Sequence, residues 1–149
     1  MNIKEFQNIS WFSNLYASSD NEKEEVYGTH EELEYLLNED PDSFFEPMYS
    51  DPYESWCLKY ISESEQINPK VKKEIETWAE YVYKSLFSII PSPELCGLVY
   101  DEVVAIIAHL HSNPLNISDF IFDKIQIYSK GRIPWGYKGV YPDGKWVII

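Results

Sequence analysis

The chain has 149 residues, 44% of them hydrophobic and 16% aromatic, which is enough apolar material for one packed core and predicts a single domain over residues 1–149. Its 25 acidic residues against 12 basic ones give a formal net charge of -13, which disfavours nucleic acid and anionic membranes as partners and suits a basic protein. Two cysteines without disulfide, metal or redox spacing, and an N-terminus without the pattern of a secretion signal, predict a soluble cytoplasmic protein.

The first predicted element lies between residues 1 and 19 and is ambiguous. The alternation of apolar and polar residues from Ile9 to Trp11 allows a strand. A helix is favoured, because apolar residues recur there every three or four positions: Phe6, Ile9, Phe12 and Tyr16.

Residues that typically begin helices mark the next elements. Thr29 and Glu32 have the spacing of a capping box, which predicts a short helix that ends before Pro41 and turns Leu33, Leu36 and Leu37 inward. Three later pairs place an N-cap side chain before a proline at the first helical position, where the missing N–H costs nothing. These pairs are Asp51-Pro52, Asn68-Pro69 and Ser92-Pro93.

Apolar spacing predicts which side of each later helix faces the core. The helix from Pro52 has an inward stripe of Tyr53, Trp56, Cys57, Tyr60 and Ile61. The helix from Pro69 has the clearest period, with Val71, Ile75, Trp78, Val82, Leu86 and Ile89. The helix from Pro93, which Pro114 ends, is apolar nearly all round and should be the central one; its apolar run Val103–Leu110 is too short for a bilayer span. A last helix, from Ser118 to Gly131, turns inward Phe120, Ile121, Ile125 and Tyr128.

The chain changes character after the last helix. Residues 131–149 are rich in glycine, and apolar residues flank the turn sequence Pro142-Asp143-Gly144, which predicts a β-hairpin. The predicted fold is therefore mainly α, an α+β bundle of about five to six helices closed by a C-terminal β-hairpin.

No motif predicts catalysis, a metal site or a cofactor. His30 begins a zincin-like run, but Glu34 stands where the second histidine ligand belongs. His109 and His111 are two residues apart on a helix and point in different directions, so both should be structural or surface histidines. Phosphate-binding and nucleophile-elbow glycine motifs are missing from the sequence. Cys96 should be a small buried hydrophobe, because it shares one helical stripe with Val99, Val103, Ile106 and Leu110.

All of the excess negative charge lies in one contiguous segment, residues 20–65. We call it the acidic segment: it holds fifteen acidic and two basic residues, whereas the rest of the chain holds ten of each. Its acids alternate with aromatic residues, and carboxylates speed encounter with a basic partner while exposed rings supply binding energy. We expect Glu39, Asp40 and Asp42 to be solvated loop charges. The predicted partner-binding residues are Tyr27, Glu31, Glu34, Tyr35, Glu39, Asp40, Asp42, Phe44, Phe45, Glu46 and Tyr49.

The sequence from Gly131 to Lys145 reads Gly-Arg-Ile-Pro-Trp-Gly-Tyr-Lys-Gly-Val-Tyr-Pro-Asp-Gly-Lys. It resembles the closing motif, Gly-x-x-Pro-x-Gly-Trp/Tyr-x-Gly-x-Tyr-Pro-x-Gly, of small bacterial immunity proteins encoded beside polymorphic or contact-dependent toxins. The resemblance implies a cytosolic protein that binds and blocks a toxin domain, often a basic nuclease. Two other classes stay open: a general interaction protein or nucleic-acid mimic, and a small enzyme that uses Cys96 or a histidine.

Overall fold

The computed structural model describes residues 3–7, 37–42 and 53–129, and the described part of the chain is mainly helical. Residues 37–39 and 41–42 are helical, and no strand occurs among the described residues. The hairpin predicted at residues 131–149 lies outside them, so the structure supports the helical part of the predicted class and not its β part. The structure gives the first and the last residue of five helices, which are α1 (Ile3–Gln7), α2 (Tyr53–Glu65), α3 (Pro69–Ile89), α4 (Pro93–Ser112) and α5 (Asp119–Ser129).

The starts of α3 and α4 confirm the two N-cap predictions that the described residues include. Asn68 Oδ1 accepts a hydrogen bond of 2.9 Å from the backbone N–H of Lys70 at the start of α3. Ser92 Oγ accepts one of 3.3 Å from the N–H of Leu95 at the start of α4. Each side chain satisfies a backbone donor that has no partner within its helix, and a proline follows it in both cases.

Helix α4 is the central element, as predicted from its apolar composition. Helices α2 and α3 pack along it, and α1 and α5 also contact it. Among the described residues, α4 is the one helix long and apolar enough to cross a membrane, but 56% of its apolar window is buried inside the fold. Enclosure by neighbouring helices is the pattern of a core helix. The predicted stripe is confirmed, because all five members are buried: Cys96, Val99, Val103, Ile106 and Leu110.

Helix α3 follows its predicted period. Ile75, Val82 and Leu86 are buried, while Val71 and Trp78 are partly buried and pack against the same core. The side chain of Ile89, the last member of the predicted stripe, lies outside the described part of the structure. The fully buried ring of Phe6 in α1 makes edge-to-face contacts with Trp78, at 5.9 Å between centroids, and with Tyr128 of α5, at 6.5 Å. These ring contacts fix α1 between α3 and α5.

The predicted inward face of α2 is partly wrong. Tyr60 is buried, but Ile61 is 37% exposed. The buried side instead continues to Ser64, four residues after Tyr60, and Ile67 is buried in the turn after the helix. Ile61 lies about 100° around the helix from Tyr60. The side chains of Tyr53, Trp56 and Cys57 lie outside the described part of the structure, so their inward placement stays a prediction.

Replacing Trp78 by alanine should lower the free energy of unfolding by about 3 kcal/mol, at the lower end for large aromatic truncations because the ring is only partly buried. Urea denaturation followed by circular dichroism measures this loss. Tyr81→Ala is the matched control on the same helix: its ring is 62% exposed, so a change within about 0.5 kcal/mol is expected. Equal unfolding midpoints for the two variants would contradict the packing of α3 described here.

Candidate partner-binding surface

Three of the predicted binding residues lie in the described part of the chain, and all three are on its surface. Glu39, Asp40 and Asp42 are exposed, whereas Leu37 packs against the hydrophobic core. Leu37 therefore faces inward as predicted and holds the carboxylates on the outside of the bundle. The prediction that these acidic residues lie in a loop is wrong, because Glu39 and Asp42 are helical and only Asp40 interrupts the helical residues. Proline at position 41 removes the N–H that a continuous helix would use.

The other eight predicted residues lie outside the described part of the structure, so their contribution to binding stays a prediction. They are Tyr27, Glu31, Glu34, Tyr35, Phe44, Phe45, Glu46 and Tyr49.

Helix α2, which ends the acidic segment, has an outer face that combines apolar and acidic side chains. Leu58 is 61% exposed, Ile61 is exposed three residues later, and Glu65 is exposed four residues after that. This spacing places the three side chains on one side of the helix. The sequence pattern does not reveal this surface, because apolar spacing places Ile61 on the predicted inward stripe of α2.

A network of polar side chains joins α2, α4 and the start of α5. The backbone N–H of Ser118 donates to His109 Nε2 at 3.1 Å, so this nitrogen is an acceptor and the ring proton of the neutral histidine is on Nδ1. Nδ1 then donates to Glu63 Oε1 at 3.2 Å, and Asn113 Nδ2 donates to the same oxygen at 2.7 Å. The hydroxyls of Tyr60 and Ser118 are 2.6 Å apart.

These contacts give the network a structural role. A general base needs a nitrogen within reach of a reacting hydroxyl or thiol, but Nε2 of His109 already accepts the N–H of Ser118. The Ser118 hydroxyl in turn accepts the N–H of Ile121, in the first turn of α5. The network therefore sets how α5 begins relative to α2 and α4. His109 is buried and His111 is exposed, as the two-residue spacing predicted.

The thiol of Cys96 is also held in the core. It is fully buried, and Sγ lies 3.6 Å from the carbonyl oxygen of Ile90. Burial raises the pKa of the Cys96 thiol to about 11, so the protonated form dominates near neutral pH. A thiol in this state is a poor nucleophile. Among the described residues, no group of three or more potential ligands is placed to hold a metal ion.

An open cleft of about 500 Å³ lies where the end of α2, the start of α3 and the end of α4 meet. Its lining is mostly polar and includes Glu63, Asn68, His111 and Asn113. Sites for small organic ligands are typically enclosed and apolar, so this cleft does not have their character.

Comparison with known protein families identifies a relationship. A family model described as immunity protein PIM1 matches residues 13–135, which is most of the chain, including the acidic segment and α2 to α5. No curated protein and no solved structure matches. The sequence resemblance is confirmed, but the matched range contains only the first five residues of the motif from Gly131 to Lys145. Most of the matched range lies before this motif.

Proposed function

Because the chain belongs to the PIM1 immunity protein family, we propose that it binds a cognate toxin domain directly and neutralises it by this contact. The toxin domain is basic, with nuclease activity as one form that fits, and the two proteins meet in the bacterial cytoplasm. The acidic segment provides the binding surface.

The exposed carboxylates at residues 39–42 are the observation that carries this proposal. The full excess charge of the chain lies in the segment to which they belong. Leu37 packs on the core, so these charges sit on a folded support and not on a free tail. A fixed anionic surface attracts a cationic domain over roughly 10 Å at physiological ionic strength and pairs with its Lys and Arg side chains.

The outer face of α2 suits the same contact. Leu58 and Ile61 offer apolar area beside Glu65, and interfaces combine an apolar centre with a charged rim. The aromatic residues at positions 27, 35, 44, 45 and 49, which are predicted to bind the partner, would add rigid rings to this contact. A nuclease domain needs a basic channel for its substrate, and an acidic protein seated there occludes it.

Neutralisation by this protein is proposed to be stoichiometric. The alternative of a small enzyme would use Cys96 or a histidine, and His109 is the buried histidine of the described residues. Cys96 is a buried thiol with a raised pKa, and His109 has both ring nitrogens engaged in hydrogen bonds. Both observations favour inhibition by occupancy, one immunity protein for each toxin domain.

A protection assay tests the proposed function. The toxic C-terminal domain encoded beside the gene for this chain is expressed in a bacterial host, with and without the chain. Growth should stop with the toxin alone and continue when the chain is co-produced. The unrelated toxin domain of another system serves as the specificity control and should kill in both cases. Continued death in the presence of folded chain would contradict an immunity function toward that toxin.

A further inference from the structure

A second acidic and aromatic surface lies outside the acidic segment. On α3, Glu76, Glu80, Tyr83 and Phe87 follow one another at spacings of four, three and four residues, so they share one side of the helix. The rings of Tyr83 and Phe87 stack with centroids 6.2 Å apart and planes 6° from parallel. Phe87 remains 40% exposed. Such a large ring at the surface is a preferred contact residue for a partner.

Helix α4 adds two residues to the same surface. Tyr100 is partly buried and Asp101 is exposed. The pKa of the Tyr100 hydroxyl is raised first by burial and then by the negative charges of Glu76, Glu80 and Asp101, so the three carboxylates lie near enough to act on this hydroxyl. We call the six residues Glu76, Glu80, Tyr83, Phe87, Tyr100 and Asp101 the α3–α4 surface.

Lysines lie close to the carboxylates of the α3–α4 surface: Lys84 follows Glu80 by four residues, and Lys73 precedes Glu76 by three. Lys72 Nζ lies 4.0 Å from Glu76 in an exposed pair four residues apart, a geometry that is worth little. Glu80 and Asp101 add two further carboxylates. The pKa of the Asp101 carboxyl is raised, first by desolvation and then by the negative charge of Glu102.

Gly97 leaves room beside these charges. It lies three residues before Tyr100 and four before Asp101, on the same side of α4. A Cβ atom built at Gly97 meets nothing within 4 Å. A side chain from a partner therefore has space next to the Tyr100 ring.

We propose that the α3–α4 surface is a second contact surface for the toxin domain and that it receives arginine side chains from a cationic face of that domain. The planar guanidinium group pairs with carboxylates and also stacks on tyrosine and phenylalanine rings, so it suits both kinds of residue present. This inference rests on the proposed function, since the occupant is the same toxin. It differs in location, because none of the six residues belongs to the acidic segment.

Two exposed glutamates of α3 give a matched test. Glu80→Lys reverses a charge inside the α3–α4 surface. Glu74→Lys makes the same change six residues earlier, about 120° around the helix and outside the surface. Affinity for the purified toxin domain encoded beside the gene should fall about tenfold or more for Glu80→Lys and much less for Glu74→Lys. Circular dichroism confirms that both variants are folded.

Two further variants separate ring contact and steric access from charge. Phe87→Ala should weaken binding about tenfold, whereas Tyr81→Ala, on another side of α3, should leave it nearly unchanged. Gly97→Trp adds bulk where the chain itself has open space, so it should block the partner without disturbing the fold.

The outcomes distinguish this inference from the proposed function. If the unaltered chain does not bind the toxin domain, the proposed function fails. If it binds, but Glu80→Lys, Phe87→Ala and Gly97→Trp bind as well as their controls or the parent, the α3–α4 surface is not a toxin contact. If Gly97→Trp instead converts a dimer to a monomer in sedimentation experiments without a loss of toxin affinity, the surface joins two copies of the chain, and the inference is overturned.

Discussion

Replacing Glu102 by alanine is expected to lower the free energy of unfolding by about 3–5 kcal/mol, the cost of removing one partner of a buried ion pair. Glu102 Oε1 accepts a hydrogen bond of 2.9 Å from Lys124 Nζ, and Oε2 accepts one of 2.7 Å from the Tyr128 hydroxyl. All three side chains are buried, the lysine almost completely. Removal of the carboxylate leaves a buried ammonium group without the carboxylate oxygen that its Nζ contacts.

The matched control replaces both charged partners. Glu102→Leu combined with Lys124→Met removes the charge and its counter-charge together, and apolar replacements of buried pairs are often neutral or stabilising. We therefore expect the double variant to regain most of the stability that Glu102→Ala loses, as measured by urea denaturation. If Glu102→Ala unfolds at the same urea concentration as the parent, the pair is not buried between α4 and α5 in solution.

Reversing the charges of Glu39, Asp40 and Asp42 to lysine should slow association with the toxin domain about tenfold or more at low salt. Three exposed carboxylates contribute to the field that attracts a cationic partner, and six units of charge change when all three are reversed. The difference from the parent should shrink as salt is raised, because screening shortens the range of the field. Stopped-flow or biosensor measurements at several salt concentrations give the rates.

An isosteric triple variant separates charge from shape in this experiment. Glu39→Gln, Asp40→Asn and Asp42→Asn keep the side-chain size and remove the charge, so the association rate should fall between those of the parent and the lysine variant. Glu74→Lys, outside both proposed surfaces, reports the effect of a change in net charge alone. An association rate that is the same in all variants would remove residues 39–42 from the interface.

Much of the helical fold could be predicted because its signals are local. Asn68 and Ser92 each precede a proline and satisfy a backbone donor nearby, so the sequence places the starts of α3 and α4. The apolar stripe of α4 is equally local. Long-range polar partners have no such signal: nothing in the spacing of Glu63 and His109, 46 residues apart, announces their contact. For the same reason the sequence gives no sign that Lys124, a residue type that is normally exposed, is buried in the core.

The candidate binding site was predictable only as far as charge can be counted along the chain. That count found the acidic segment and the exposed carboxylates at residues 39–42. The count does not reveal the α3–α4 surface, because the charges of the residues outside the acidic segment sum to zero. In the folded chain Glu80 of α3 and Asp101 of α4 both lie near the Tyr100 hydroxyl, although 21 residues separate them in the sequence.

Titration of the purified toxin domain with the purified chain, followed through toxin activity, tests direct neutralisation. The account predicts a linear loss of activity that is complete at one chain per toxin domain and a complex that survives gel filtration. Activity that persists with excess folded chain, or that disappears at far less than one equivalent, would contradict inhibition by stoichiometric binding.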